Sequence, residues 1–213
     1  LTKAGLDVLM LEEGPVAYHK KTTNQIVEMI PRLWRSGGLT LALGAPPISY
    51  VEGRCVGGGT EINAAIIQKV PDNLLDIWAD KYKIKEFGSE ELKPYYDRAF
   101  DAVNASLAHG ELGEPSNIIK KGAASLGWKI SSLERAQDNC IGNNRCTTGC
   151  PSGAKQSMSI TLLKDSIHRG MRLISQCRVS NVSSNKHGVF TVAHALDENN
   201  KKYKIKIKSK FIF

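Results

Sequence analysis

Three groups of residues have types and spacings that could do chemistry. Gly57, Gly58 and Gly59 run consecutively into Thr60 and a stretch, Glu61 to Gln68, that reads as a helix. Without Cβ atoms a backbone can press against a flat or anionic ligand. The unbonded N–H groups where a helix begins favour negative charge there. A plain tight turn between strand and helix uses the same residues, so the loop alone leaves both readings open. Cys140, Cys146 and Cys150 crowd into eleven residues, tight enough to set three thiolates around one centre. Thiolates select iron–sulfur clusters or zinc. Buried inert thiols, or one disulfide with a thiol left over, need nothing more than the same three residues. Glu12 closes the apolar run Val8 to Leu11. A parallel strand ending in an acid is the second strand of a dinucleotide-binding βαβ unit, its carboxylate accepting from a ribose hydroxyl.

The glycine fingerprint that partners such an acid lies about 20 residues upstream of it. Only eleven residues precede Glu12, and the other end runs into Phe211-Ile212-Phe213 without a turn, so both ends read as cut. Between them, residues 15–50 are expected to be mostly loop with one short helix. A helix from Ser89, capped by that serine, presents Leu92, Tyr96, Ala99, Phe100 and Val103 on one face. A second starts near Ser116, carries Ile118, Ile119, Ala123 and Leu126, and stops at Gly127; a third spans Gln156 to Arg169 before Gly170. Leu173–Val182 and Val189–Ala195 read as strands, with Asp197 to Lys201 as a polar hairpin loop. The expected class is α/β: strands at both ends, a helical insertion over about 72–135, and a β-meander at the end.

The chain has 213 residues, 41% hydrophobic and 23% charged, the balance of a globular protein rather than a disordered or fibrous one. No apolar run approaches the roughly 20 residues of a membrane helix. Lys and Arg number 29 against 21 Asp and Glu, but six of those lysines fall between 201 and 210. From 204 to 210 they occupy alternate positions, the pattern of a strand with one wet face, and edge lysines discourage aggregation. No basic helix accompanies them, so a nucleic-acid partner is not expected. Five cysteines, an odd number, do not resemble a secreted disulfide framework. Cys55 and Cys177 read as core residues.

The run Gly53-Arg54-Cys55-Val56-Gly57-Gly58-Gly59-Thr60-Glu61-Ile62-Asn63 resembles the first signature of the glucose–methanol–choline (GMC) family of flavin oxidoreductases. The preceding Leu-Glu-Glu-Gly resembles that family's ribose-binding strand end. Trp78 to Ala105 looks like the helix that follows the signature in many members. Cys140 to Ser157, followed by Arg178-Val179-Ser-Asn-Val182, is similar to the branch holding cholesterol-oxidase-like and long-chain-alcohol enzymes. Residues 15–50 match poorly.

The resemblance implies an incomplete Rossmann-like FAD-binding domain, with cofactor-contacting parts at about 1–68 and 137–213. It also implies oxidation of an alcohol or sterol-like donor by hydride transfer to flavin, with oxygen or a redox partner as acceptor. Carried over, Glu12 holds the adenosine ribose, and Gly57, Gly58 and Gly59 admit the pyrophosphate and flavin. Asn63 and Ile66 lie beside the isoalloxazine, and Val179 meets the adenine through its backbone; by side chain alone Val179 reads as a core valine. Members that attach FAD covalently use a His two residues after the Thr60 position; Ile62 stands there, so binding is expected to be non-covalent. Certain sugar dehydrogenases of the family use the spacing of Cys140, Cys146 and Cys150 for a three-iron cluster, which keeps that alternative open. The family's catalytic His belongs to a C-terminal motif, and none of His19, His109, His168, His187 and His194 lies in one. Each reads as a surface or loop residue. No catalytic residue is assigned, and the chain by itself is expected to hold FAD weakly or not at all.

Overall fold

A computed structural model of the chain describes residues 1–17, 22–23, 25–107 and 113–213. The chain divides into two compact units. One comprises Leu1–Asn63, Arg145–Pro151 and Met158–Phe213, and the other Ala64–Asn144 and Ser152–Ser157. His19 and His109 lie outside the described residues.

In chain order the first unit begins with β1 (Leu9–Leu11), α1 (Ile26–Leu33), β2 (Thr40–Ala42), β3 (Ile48–Tyr50) and the single turn α2 (Gly59–Ile62). The second holds α3 (Asp72–Tyr82), α4 (Ser89–Ala102), β4 (Ala105–Leu107), α5 (Glu114–Ser125) and β5 (Glu134–Ala136). The chain then completes the first unit with α6 (Leu162–His168), β6 (Arg172–Ile174), β7 (Cys177–Asn185), β8 (Gly188–Leu196) and β9 (Lys202–Ser209).

In the first unit, β1 pairs in parallel with β6, Leu9 opposite Arg172 and Leu11 opposite Ile174. That pairing explains the unbroken apolar run of β1, since parallel strands are covered on both faces. The expected strand over 173–182 is two strands. The chain turns at Gln176, whose φ is 51°, because β6 must follow β1 while β7 joins β8 and β9 in an antiparallel meander. Cys177, Ala193 and Ala195 form a buried cluster beneath that meander, with Leu11, Ile174 and Ile205 packed on it. In β9 the isoleucines 205 and 207 are half-buried and the lysines exposed, as the alternation requires. The strand ends at Ser209 and does not run on through Phe213.

A second cluster joins Met29 and Leu33, four apart on one face of α1, to Cys55 and Ile62. Leu33 has no exposed surface. Truncating such a leucine to alanine costs about 2–5 kcal/mol. Residues 15–50 contain more structure than expected, because β2 and β3 pair as a hairpin. Its side chains are largely exposed and carry no alternating pattern for the sequence to reveal.

The second unit is mostly helical, with a short β4–β5 pair. Along α4 the face of Leu92, Tyr96 and Phe100 is half-buried and Val103 buried, while Ala99 is exposed. Ser89 does not cap α4 with its side chain: Gly88 holds the N-cap position, and the Ser89 N–H donates to Asp76 Oδ1 at 3.0 Å. The expected helix over Glu61 to Gln68 stops at Ile62. Beyond it the backbone joins β5: Ala136 N–H donates to Ala65 O at 2.8 Å, and Ile67 N–H to Glu134 O at 3.1 Å. Sheet hydrogen bonds thus displace the helix. The helix expected from Gln156 likewise begins only at Leu162, because Gln156 N–H donates to Ala136 O and Lys155 bridges Gln137.

Candidate functional site

Two strand ends converge through residues 12–16 of the first unit. Glu12 N–H donates to Ile174 O at 2.9 Å, Cys177 N–H to Glu12 O at 2.8 Å and Gln176 N–H to Gly14 O at 2.8 Å. These bonds set the end of β1 beside the start of β7. On its other side, Val56 N–H donates to Pro15 O at 2.9 Å, and Val16 bridges Val56 in parallel. The acidic strand end and the segment entering the glycine turn are therefore neighbours. A methyl group on Gly14 would lie 1.9 Å from the Arg54 carbonyl oxygen, so only glycine permits the approach. Gly53 is needed for the same reason against Gly58, 2.4 Å away.

The turn itself is open where a ligand would need it open. Gly58 has φ 55° and ψ −138°, a conformation that residues with a Cβ avoid. A Cβ on Gly58 or Gly59 would meet no atom of the described residues within 4 Å. Gly57 differs: its Cβ would fall 2.6 Å from Glu61 Oε1, so its bareness makes room for a neighbour. Helix α2 is a single turn of four residues, so its dipole is much smaller than the long helix expected after the glycines would have supplied. Asn63 follows as its C-cap. Ile66 belongs to the second unit, 45% exposed and bridged to Arg135.

Beside the strand end lies a cavity of about 580 Å³ lined by Glu13, Arg54, Gln176, Arg178, Val179, Ser180, His194, Leu196 and Lys202. Val179 is 40% exposed, so the core-valine reading does not hold. The register of β7 against β8 shifts between Val179 and Asn181, a bulge that leaves Ser180 unpaired in the ladder and sets both residues on the cavity wall. His194 is half-buried in β8 and lines the same cavity, so it is not a loop residue.

The two acids have separate tasks. Glu12 Oε1 accepts from Gly14 N–H at 2.7 Å and so stiffens the turn after β1. Glu13 lines the cavity; its carboxylate pairs with Arg35 Nη1 at 3.1 Å and approaches Arg178 Nε at 3.9 Å. Hydrogen bonding to Glu13, joined by Glu52 at 2.6 Å, holds the Arg35 guanidinium above its ordinary value. Arg54 Nε is buried with no hydrogen-bond partner among the described residues, in a side chain that lines the cavity. A buried donor of that kind calls for an acceptor, and a nucleotide offers several. The open glycine turn, the cavity and the orphan donor fit a dinucleotide cofactor. Sequence reasoning missed Glu13, Arg54, Arg178, His194 and Lys202, although the doubled acid at 12–13 and the strand alternation after 177 were visible signals.

Cys140 belongs to the second unit, Cys146 and Cys150 to the first, and none of the five forms a disulfide. Among the described residues no three His, Cys, Asp or Glu side chains are grouped as ligands of one metal ion. Cys55 and Cys177 are buried, as expected, and burial pushes the Cys177 thiol up. No helix among the described residues is long and apolar enough to cross a membrane.

The family profile described as GMC oxidoreductase matches residues 30–213. An uncharacterized GMC-type oxidoreductase of Sinorhizobium fredii is 48% identical over 100% of this chain and 42% of its own length. A long-chain-alcohol oxidase of Arabidopsis thaliana is 30% identical over 82% of this chain and 23% of its own. The crystal structure of pyridoxine 4-oxidase from Mesorbium loti matches with a TM-score of 0.59 at 16% identity, covering 95% of this chain and 43% of that one. That likeness supports the expected class, an α/β, Rossmann-like fold with a helical insertion and a meander. This chain thus spans less than half the length of each of these proteins, and it belongs to the GMC oxidoreductase family.

Proposed function

We propose that the chain forms the cofactor-holding part of an FAD-dependent oxidoreductase that acts on the CH–OH group of an alcohol. The observation that carries this reading is the convergence at residues 12–16: the acidic strand end, the open glycine turn and the cavity with an unsatisfied Arg54 Nε all adjoin that segment. Bound FAD supplies the hydride acceptor. The residues here bind and orient it. Glu12 and Glu13 provide acceptors at the strand end for ribose hydroxyls, Val179 presents its backbone to the adenine, and Gly58 and Gly59 leave room for the dinucleotide. Asn63, and Ile66 by the family resemblance, belong beside the isoalloxazine. With Ile62 in place of a linking histidine, the cofactor is held without a covalent bond. The alcohol is oxidised with its electrons passing on to oxygen or to a redox partner; the long-chain-alcohol oxidases among the relatives favour an alcohol with an apolar body.

The test is the absorption spectrum of the full-length protein, with iron assayed on the same sample. Flavin bands whose chromophore is released intact by acid precipitation support the reading. Absence of flavin, with no uptake from added FAD, overturns it.

A further inference from the structure

Beneath the glycine turn lies a buried acid that the proposed chemistry does not use. Glu61, in α2, is 4% exposed. Its Oε1 accepts a hydrogen bond from the Ser159 hydroxyl, 98 positions away in sequence. The next residue pair makes a parallel contact: Met158 N–H donates to Thr60 Oγ1 at 3.1 Å. Thr60 Oγ1 in turn donates to Gly57 O at 2.5 Å. Two consecutive residues of α2 are thus fastened to two consecutive residues of a distant segment, and one of them reaches back to the turn. Gly57 completes the fit, because a Cβ there would stand 2.6 Å from Glu61 Oε1 and 2.9 Å from its Cγ. A buried carboxyl is costly unless its oxygens are bonded, so such a group holds its surroundings to one geometry.

We propose that Glu61 and Ser159 are positioning residues, a clamp that holds the backbone of Gly57, Gly58 and Gly59 in its open shape so that the cofactor can approach. This deepens the reading of the turn as part of an FAD seat and rests on it. The clamp acts through hydrogen-bond geometry at Oε1, and an amide oxygen in the same place serves equally. Glu61→Gln therefore preserves it, while Glu61→Ala and Ser159→Ala remove it.

The experiment measures two quantities on the full-length protein and these three variants. One is amide hydrogen exchange over 57–63; the other is the FAD dissociation constant from flavin fluorescence. Loss of a hydrogen bond to a carboxyl predicts about tenfold faster exchange in this segment and about tenfold weaker FAD binding for Glu61→Ala and Ser159→Ala. Glu61→Gln is expected within about threefold of the parent in both. If Glu61→Ala does not fold, Ser159→Ala, which deletes a single oxygen, decides the matter. A lowered melting temperature with unchanged exchange and unchanged FAD affinity overturns the proposal, as does a Glu61→Gln variant as impaired as Glu61→Ala. If the parent takes up no FAD, the cofactor reading fails, and the exchange arm still decides the clamp.

Discussion

The carbonyl oxygen of Arg54 stands 1.9 Å from where a Cβ of Gly14 would be, so the chain leaving β1 and the chain entering the glycine turn touch backbone to backbone. Gly14→Ala cannot be accommodated by rotating a side chain, because the obstacle is main chain. The expected outcome is a loss of about 3 kcal/mol or failure to fold, read by urea unfolding. Gly59→Ala makes the opposite prediction. No atom of the described residues lies within 4 Å of its Cβ and the position is helical, so stability should hold or rise slightly while FAD affinity falls at least about tenfold. Equal FAD binding by parent and Gly59→Ala would contradict the placement of the cofactor at this turn.

Val179 offers a second probe of the same site. It is 40% exposed on the cavity wall, so a larger ring there fills the cavity without disturbing the cluster of Cys177, Ala193 and Ala195. Val179→Trp should abolish flavin retention through gel filtration at an unchanged melting temperature. Full retention would place the adenine elsewhere.

The thiols should react in two classes. Cys55 is 0% and Cys177 1% exposed, and burial holds the Cys177 thiol above its ordinary value, whereas Cys140, Cys146 and Cys150 are half-buried. Native-state alkylation followed by peptide mapping should label the three before the two, since the thiolate is the reactive form. If Cys140, Cys146 and Cys150 resist labelling until iron is chelated, the result supports the iron–sulfur alternative.

Acid sensitivity is expected in the second unit. Hydrogen bonds from Lys93 at 2.7 Å, and next from Lys69 at 3.3 Å, hold the Asp97 carboxyl below its ordinary value of 3.8. A carboxyl depressed in the folded state contributes stability above its unfolded value and loses it as pH falls through the folded one. Asp97→Asn should therefore show a slightly shallower fall in urea midpoint than the parent between about pH 4 and pH 2. The exposure of these side chains keeps the difference small. A steeper fall in the variant would reverse the sign and refute the assignment.

Much of the outline is legible in the sequence. The β1 run, the meander with its alternating lysines, α4, α5 and the buried Cys55 and Cys177 follow from periodicities and side-chain types that act within a few residues. The helices expected after Glu61 and Gln156 were shortened because β5 supplies hydrogen-bond partners to both segments, and such competition leaves no mark in local composition. The β2–β3 hairpin was invisible because its faces do not differ in burial.

Sequence alone determined which chemistry was available: a strand ending in an acid, a stretch of backbone without side chains and a family signature around it. Tertiary structure decided which of two adjacent acids faces the cavity, that Val179 and His194 join Glu13 there, and that Ser159 reaches Glu61. The reason is geometric. Residue types and short-range periodicity are written along the chain, whereas parallel pairing of β1 with β6, a one-residue bulge in β7 and contacts 98 positions apart arise only when distant segments compete for the same hydrogen bonds and the same space.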